Sequence, residues 1–137
     1  MLWDTRALSP YVMLSLKILV GSYTSVITTL LFSTSPPSLR IYSTSPAGSN
    51  PSWIASHPSN RSLLFATQEN TPGRILSFFV QPDGSAARLS SASSGGNGPA
   101  YLGFSDDGSE IYLPNVCGDQ FFINKATLKS GVLPVVW

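Results

Sequence analysis

The stretch that decides the fold is residues 45–67, SPAGSNPSWIASHPSNRSLLFAT, because residues 93–115, SSGGNGPAYLGFSDDGSEIYLPN, repeat its layout. Few letters are identical. In both stretches a proline follows glycine, a large aromatic residue comes next, and a turn then separates two apolar runs. A structural repeat keeps its turns and apolar runs at fixed distances while its letters drift. The two stretches therefore predict two copies of one structural unit.

The two copies are 48 residues apart, which is the difference between Pro99 and Pro51, and the match extends without a gap over residues 27–67 and 75–115. A spacing of about 40 to 50 residues is typical of one β-propeller blade. Other positions that keep their character at this spacing are Arg40/Arg88, Ser43/Ser91, Ser45/Ser93, Gly48/Gly96, Trp53/Tyr101, Ile54/Leu102 and Leu63/Ile111.

The central unit divides into four short apolar segments that turn residues separate, and no window keeps a helical period for three turns. Runs of this length bounded by Pro, Gly, Asn and Asp are typical of β-strands joined by hairpins. The unit therefore predicts one four-stranded antiparallel blade. Its predicted strands are residues 52–56, 62–67, 74–80 and 87–92.

The flanks fit the same scheme and set the predicted fold class: all-β, a partial β-propeller of about two and three quarters four-stranded antiparallel blades. We expect residues 1–12 to be an extension outside the domain and residues 13–137 to form the partial propeller. Its parts are an incomplete blade over 17–44, a complete blade over 51–92 and an irregularly ending blade over 99–137. In the flanks the predicted strands are residues 17–22, 27–32, 38–44, 99–104, 110–115, 120–123 and 131–137.

Composition narrows the partners and the compartment. The formal net charge is +1 and only 11% of residues are charged, so there is no basic stripe for nucleic acid or for an anionic membrane, and we expect neither partner. The N-terminal apolar run is broken by Pro10 and Lys17, which argues against a membrane span. Cys117 is the only cysteine, so the chain forms no intramolecular disulfide, and we expect a cytoplasmic location.

Four motifs resemble one protein family. They are KILVGSYT at 17–24, PSWIASHP at 51–58, QPDGS at 81–85 and GGNGPAYL at 95–102. Together they resemble the seven-bladed propeller lactonases, the 6-phosphogluconolactonase family, over residues 17–120, and the likeness is nearest to fungal members. The likeness weakens after Asn115, where the family usually continues with an aromatic residue and glycines. Seven blades need roughly 340 residues, so we expect this chain of 137 residues to be a fragment.

The resemblance implies hydrolysis of a sugar lactone such as 6-phosphoglucono-1,5-lactone to 6-phosphogluconate, a step of carbohydrate metabolism in the pentose phosphate route. It implies no metal and no organic cofactor. Relatives that cyclise carboxy-muconate imply an isomerase as one alternative, and a non-catalytic propeller that binds a partner is another. A third is an incomplete chain whose exposed sheet edges self-associate.

The resemblance also implies that the family's catalytic His, Arg and Glu belong to later blades, so no catalytic residue is assigned in this chain. In a propeller, the loops between second and third strands share one channel mouth with the loops that lead into each inner strand. This placement predicts substrate-mouth candidates on both kinds of loop. They are Asn50, Trp53, Glu69, Asn97, Tyr101 and Asn115.

Three other features are interpreted as structural. His57 opens the turn between first and second strands, on the face away from the mouth, and Ser105 replaces it in the next copy. Arg40 and Arg88 repeat on the outer strand and indicate a surface role. The Asp-Gly turns at 83–84 and 107–108 supply too few oxygen ligands for calcium, so we expect no metal site.

Overall fold

The computed structural model describes residues 14–117 and 120–128, which form ten β-strands in three antiparallel sheets. The first sheet has the order β1-β2-β3, the second β4-β5-β6-β7 and the third β10-β9-β8. The strands are β1 Ser15–Val20, β2 Val26–Thr34, β3 Pro37–Pro46, β4 Ile54–His57, β5 Asn60–Gln68, β6 Arg74–Val80, β7 Ala86–Ser93, β8 Gly103–Phe104, β9 Glu110–Cys117 and β10 Gln120–Thr127.

This arrangement confirms the predicted partial β-propeller. The second sheet is a complete blade whose four strands follow one another in chain order, as the turn chemistry of the central unit predicts. In the first sheet the three strands match the second, third and fourth strands of that blade, and in the third sheet they match the first, second and third. The predicted extension at 1–12 and the predicted outer strand at 131–137 lie outside the described residues.

Two apolar cores hold the three sheets together, one on each side of the second sheet. The core against the first sheet is built from Ile27, Ala47, Leu64, Ala66, Leu76, Phe78 and Ala86. The core against the third sheet is built from Phe65, Ile75, Ala92, Leu102, Ile111, Leu113 and Ala126. Alternate residues of β5 and β6 therefore point to opposite neighbours, because successive side chains of a strand point to opposite faces.

The gapless spacing of 48 fails in the outer strands, which is a correction to the sequence analysis. Leu31 of β2 and Phe79 of β6 are 48 apart, but Leu31 pairs with Arg40 whereas Phe79 pairs with Ala87. The outer strands are thus 47 apart, the difference between 87 and 40, and Arg40 and Arg88 are not equivalent. Counted between equivalent pairs, five residues separate Val80 from Ala86 whereas six separate Phe32 from Leu39, so the hairpin before β7 is one residue shorter. The loop that leads from the outer strand to the next inner strand is one residue longer after Ser93 than after Pro46. Both arginines are exposed, as a surface role predicts.

The spacing also changes to 47 in the second strands, and this brings Asn115 into the position of Gln68. The Gln68 Nε2 atom donates to the Ala47 carbonyl at 3.3 Å, and the Asn115 Nδ2 atom donates to the Ser94 carbonyl at 3.0 Å. Each side-chain amide holds the loop that arrives from the preceding sheet. We call these two contacts the amide clamps.

The described residues contain no helix long and apolar enough to cross a membrane.

Candidate functional site

Four loops meet at one end of the sheets, and we call this end the mouth. They are residues 21–25 and 69–73, between second and third strands, and residues 47–53 and 94–101, which lead into inner strands. Backbone hydrogen bonds join them: the Asn50 N–H donates to Thr24 at 2.8 Å, Glu69 to Asn50 at 3.1 Å, and Gly98 to Asn70 at 2.9 Å. The mouth is therefore a connected surface that spans neighbouring blades.

Glu69 meets a partner from the preceding blade at the mouth. The Tyr23 hydroxyl donates to Glu69 Oε2 at 2.8 Å. This hydrogen bond raises the pKa of the Tyr23 phenol, and the negative charge of Glu69 adds to the effect. Tyr23 therefore stays protonated at neutral pH and keeps one carboxylate oxygen of Glu69 in a fixed position, while the ring of Tyr23 is 70% exposed.

Two asparagines lie beside this pair. Asn50 donates from Nδ2 to Asn70 Oδ1 at 2.8 Å, and it has a left-handed backbone with a φ of 53°. In the next copy Gly98 adopts the same conformation with a φ of 56°. Asparagine tolerates this region better than most residues, which explains how Asn50 occupies it and carries a side-chain amide to the mouth. Asn97 is half-buried in the loop beside Gly98.

Trp53 and Tyr101 form an aromatic pair where their inner strands begin. Their ring centroids are 4.7 Å apart with an interplanar angle of 53°. The pair packs between two blades, yet Trp53 remains 41% exposed and Tyr101 47% exposed. An aromatic surface that is both fixed by packing and open to solvent is suited to contact with the apolar faces of a ligand ring.

Asn115 does not belong to the mouth surface, contrary to the prediction. It lies within β9, its exposed fraction is 0%, and its three hydrogen bonds are internal. Its Oδ1 accepts from Ser94 Oγ at 2.6 Å, and its Nδ2 donates to the carbonyls of Ser94 and Leu113. The predicted strand ended at residue 115, but β9 continues to Cys117 and places this side chain in the interior.

His57 lies at the end of the sheets opposite the mouth, where the repeat places it. The Ser59 N–H donates to Nδ1 at 3.2 Å, so the proton is on Nε2, which donates to the Gly108 carbonyl at 2.9 Å. Its ring also packs edge-on against Phe104 with centroids 5.5 Å apart. Gly108 has a φ of 73°, and a Cβ there would overlap the imidazole. His57 thus joins the turns of two blades.

The Asp-Gly turns are held by hydrogen bonds within the turns themselves. Asp107 Oδ1 accepts from Ser105 Oγ at 2.7 Å, from the Ser109 N–H at 2.9 Å and from Ser109 Oγ at 2.8 Å. Asp83 accepts from the N–H and the hydroxyl of Ser85 in the same way. Within the described part of the chain, no group of three or more His, Cys, Asp or Glu residues could hold a metal ion.

Asp107 predicts a loss of stability in acid. The hydrogen bonds from Ser105 and then Ser109 lower the pKa of its carboxyl to about 2, so the folded state binds the proton more weakly than the unfolded chain does. The stability that the ionised Asp107 carboxylate adds to the fold is complete above the unfolded pKa near 3.8 and is lost as the pH falls toward 2. We expect the urea midpoint of Asp107→Asn to fall less steeply than that of the wild type between pH 3.8 and pH 2. Asp106→Asn, in the same exposed turn, is the control, and an equal effect of both substitutions would contradict the assignment.

Sequence reasoning missed Tyr23 and Asn70. The rule that loops between second and third strands lie at the mouth could have found Tyr23. The rule that placed residues 69–73 at the mouth applies equally to residues 21–25 of the preceding blade, and Tyr23 lies at the centre of that loop. Asn70 lies inside a loop that was assigned to the mouth, but no spacing in the sequence shows that its amide meets Asn50. Within the four mouth loops, Glu69 is the one charged side chain.

Blades of antiparallel strands, packed face to face with their connecting loops collected at one mouth, define a β-propeller protein. A family model described as "Lactonase, 7-bladed beta-propeller" matches residues 17–128, most of the chain. The chain therefore belongs to the seven-bladed β-propeller lactonase family. No curated protein sequence matches it.

Solved structures support the fold. A periplasmic gluconolactonase from Pseudomonas aeruginosa is 24% identical with a TM-score of 0.75, and the match covers 86% of this chain and 36% of that one. A putative 6-phosphogluconolactonase from Bacteroides uniformis is 22% identical with a TM-score of 0.67, covering 80% and 33%. Another from Bacteroides fragilis is 19% identical with a TM-score of 0.60, covering 77% and 33%. The chain thus spans about a third of the length of these proteins.

Proposed function

We propose that this chain supplies part of the mouth of a lactone hydrolase that acts on a sugar lactone. The observation that carries the proposal is the contact between Tyr23 and Glu69 at 2.8 Å, at a mouth that also presents the exposed pair Trp53 and Tyr101. A carboxylate fixed by a hydroxyl donor, next to amides and an aromatic surface, offers the groups that a polyhydroxylated ring requires. Family membership makes a lactone the natural substrate class.

In this proposal Glu69 is the general base. Lactone hydrolysis needs a water molecule deprotonated as it attacks the carbonyl carbon, and a carboxylate within hydrogen-bond reach of that water accepts the proton. Tyr23 is a positioning residue, because it donates to Oε2 and leaves Oε1 as the acceptor for the attacking water. The oxyanion that forms needs hydrogen-bond donors. Asn50 and Asn70 are candidates, since each side-chain amide has two N–H groups.

The substrate proposed from the family resemblance is 6-phosphoglucono-1,5-lactone, which would place the protein in the pentose phosphate route. In the four mouth loops described, the only charged side chain is the anionic Glu69, so the cations for a phosphate would come from other blades. A neutral glucono-lactone is the second candidate, favoured by this charge pattern. The single cysteine supports a cytoplasmic location. Similarity to a periplasmic gluconolactonase makes the periplasm the alternative.

We expect Glu69→Gln to lower lactone turnover by about a hundredfold and Tyr23→Phe by about tenfold, because the first removes the base and the second only its orientation. The measurement is the hydrolysis rate of glucono-1,5-lactone and of its 6-phosphate above the spontaneous rate. It is made on the 137-residue chain and on a seven-bladed protein that contains residues 14–128. Arg88→Gln, on the exposed outer strand, is the control and should leave the rate unchanged.

Two outcomes would contradict the proposal. If a closed seven-bladed protein hydrolyses neither lactone, the protein is not a lactonase. Saturable binding of gluconate without turnover would favour a non-catalytic binding propeller. Equal rates for wild type and Glu69→Gln would remove the assigned base even if hydrolysis occurs. Trp53→Leu tests the aromatic pair separately, since we expect it to raise KM about tenfold with little change in kcat.

A further inference from the structure

The contact between Tyr23 and Glu69 joins side chains from two different sheets. Tyr23 lies in the mouth loop after β1, and Glu69 lies in the mouth loop after β5. The strands β1 and β5 belong to different sheets, so no pairing of strands fixes the separation of the two loops. The distance of 2.8 Å between the Tyr23 hydroxyl and Glu69 Oε2 therefore depends on another part of the molecule that holds both loops.

The main chain of Asn50 holds both loops. Its N–H donates to the Thr24 carbonyl at 2.8 Å, and its carbonyl accepts from the Glu69 N–H at 3.1 Å. Thr24 is the next residue after Tyr23, so the two hydrogen bonds attach both partners of the contact to one residue. The angle between the N–H and the carbonyl of Asn50 depends on its backbone conformation, which is left-handed with a φ of 53°. This conformation therefore sets how the two loops lie relative to each other.

The side chain of Asn50 stabilises this conformation. Its Nδ2 donates to Asn70 Oδ1 at 2.8 Å, and Asn70 Nδ2 donates to the Ser49 carbonyl at 3.3 Å. Of the residues that the structure describes, Asn50 is the only one besides glycines with a positive φ. A non-glycine residue keeps such a backbone only where its surroundings hold it, and residues of this kind cluster at functional sites. The two asparagine amides therefore hold residue 50 in the conformation that binds both loops.

We propose that Asn50 is a positioning residue, which sets the separation of Tyr23 and Glu69 through its left-handed main chain. This inference rests on the proposed function, because the group that Asn50 orients is the proposed general base. It is separate from the role of the Asn50 amide as a candidate donor to the oxyanion, since the main chain binds Glu69 without contact with a ligand. In the next copy Gly98 has a φ of 56° and donates to the Asn70 carbonyl at 2.9 Å, so this backbone also forms without a side chain.

The first test is the pKa of the Tyr23 phenol, followed by NMR of the 137-residue chain with isotopically labelled tyrosine and assigned with Tyr23→Phe. The hydrogen bond to Glu69, and then the negative charge of Glu69, raise this pKa above its ordinary value of 10.0. We expect Asn50→Ala to bring the pKa back toward 10.0, because alanine disfavours the left-handed backbone. Asn50→Gly should keep the pKa raised, because glycine adopts a positive φ freely. Within the four mouth loops, the only other titratable side chain is that of Tyr101.

The second test is lactone turnover in the seven-bladed protein that contains residues 14–128. We expect Asn50→Ala to lower kcat about tenfold with little change in KM, the size of loss expected for Tyr23→Phe, and Asn50→Gly to keep most of the wild-type rate. In the double variant with Tyr23→Phe the two losses should not add, because both act through the same contact. Asn60→Ala, in the exposed turn opposite the mouth, is the control and should change neither the Tyr23 pKa nor kcat.

The outcomes separate this inference from the proposed function. A fall of the Tyr23 pKa in Asn50→Ala but not in Asn50→Gly supports the role of Asn50 even if no lactone is hydrolysed, in which case only the proposed function fails. An unchanged Tyr23 pKa in Asn50→Ala, an equal fall in both variants, or additive losses of kcat would overturn the inference. If circular dichroism shows that Asn50→Ala does not fold, Asn70→Ala is measured instead, because it leaves residue 50 unchanged and removes the acceptor of its side chain. An unchanged Tyr23 pKa in Asn70→Ala would then overturn the inference.

Discussion

Phe78→Ala is expected to lower the free energy of unfolding by about 4 kcal/mol, the largest effect of any single substitution proposed for this chain. Phe78 is 0% exposed and lies in the core that joins the first and second sheets. Removing its ring loses the transfer energy of a large apolar side chain and leaves a cavity between two sheets. The other core residues of both sheets, such as Ile27 and Leu76, are held by their own packing, so the cavity closes only in part. Urea unfolding followed by circular dichroism measures the loss.

Phe79→Ala provides the control from the next position in the same strand. Phe79 is 43% exposed, so its truncation removes about half as much buried apolar surface and creates no closed cavity. We expect a loss of about 1 kcal/mol. Because the two substitutions share chemistry, strand and chain neighbours, their difference isolates burial. Losses of equal size would contradict the assignment of Phe78, rather than Phe79, to the core between blades.

Asn115→Leu is expected to lower the free energy of unfolding by about 3 kcal/mol. The substitution keeps approximate volume but removes three buried hydrogen bonds, to Ser94 Oγ, to the Ser94 carbonyl and to the Leu113 carbonyl. The partners are left in the interior, where an unsatisfied polar group costs more than the bond itself contributed. Urea unfolding again provides the measurement, with Ser94→Ala and the double variant completing a mutant cycle.

Asn60→Ala is the control for this asparagine. Asn60 is exposed, and its side chain accepts one hydrogen bond, from the Ser62 N–H at 3.1 Å, in a turn that water reaches. Its loss should stay below about 1 kcal/mol. A small effect of Asn115→Leu, or additive effects of the Asn115 and Ser94 substitutions, would contradict the role of Asn115 as an amide clamp. Additivity is expected only for residues that do not interact.

Much of the fold was predictable because the repeat constrains it. Pro, Gly, Asn and Asp at fixed distances determine where strands end, and apolar runs of strand length between them leave few alternatives. The predicted segment at 74–80 coincides with β6, and the segment at 62–67 lies within β5. The same reasoning predicts that Glu69 and Asn50 lie at one end of the sheets, because corresponding loops of successive blades lie at the same mouth.

Side-chain direction was less predictable, because it depends on single residues. A shift of one position in a strand exchanges its two faces. The hairpin before β7 has one residue fewer than its counterpart and the loop after β7 has one more, so the total spacing returns to 48. The sequence therefore does not show that the outer strand between them is shifted by one residue. The predicted strand ends at Asn115 and so puts this residue at the mouth, whereas β9 continues to Cys117 and keeps the side chain internal. The contact between Tyr23 and Glu69 joins two blades at a distance of 46 positions that no motif marks.

The two cancelling length changes act at opposite ends of the blade. Compared with the first sheet, the second sheet has one residue fewer in the hairpin before β7 and one residue more in the mouth loop at 94–101. The pairing of the third and outer strands keeps its irregularity at the equivalent positions Thr29/Leu30 and Ser77/Phe78, while the loop at the mouth is one residue longer. A loop at the mouth can therefore gain a residue while its sheet keeps the same pairing of strands, provided that the hairpin at the other end of the sheet loses one.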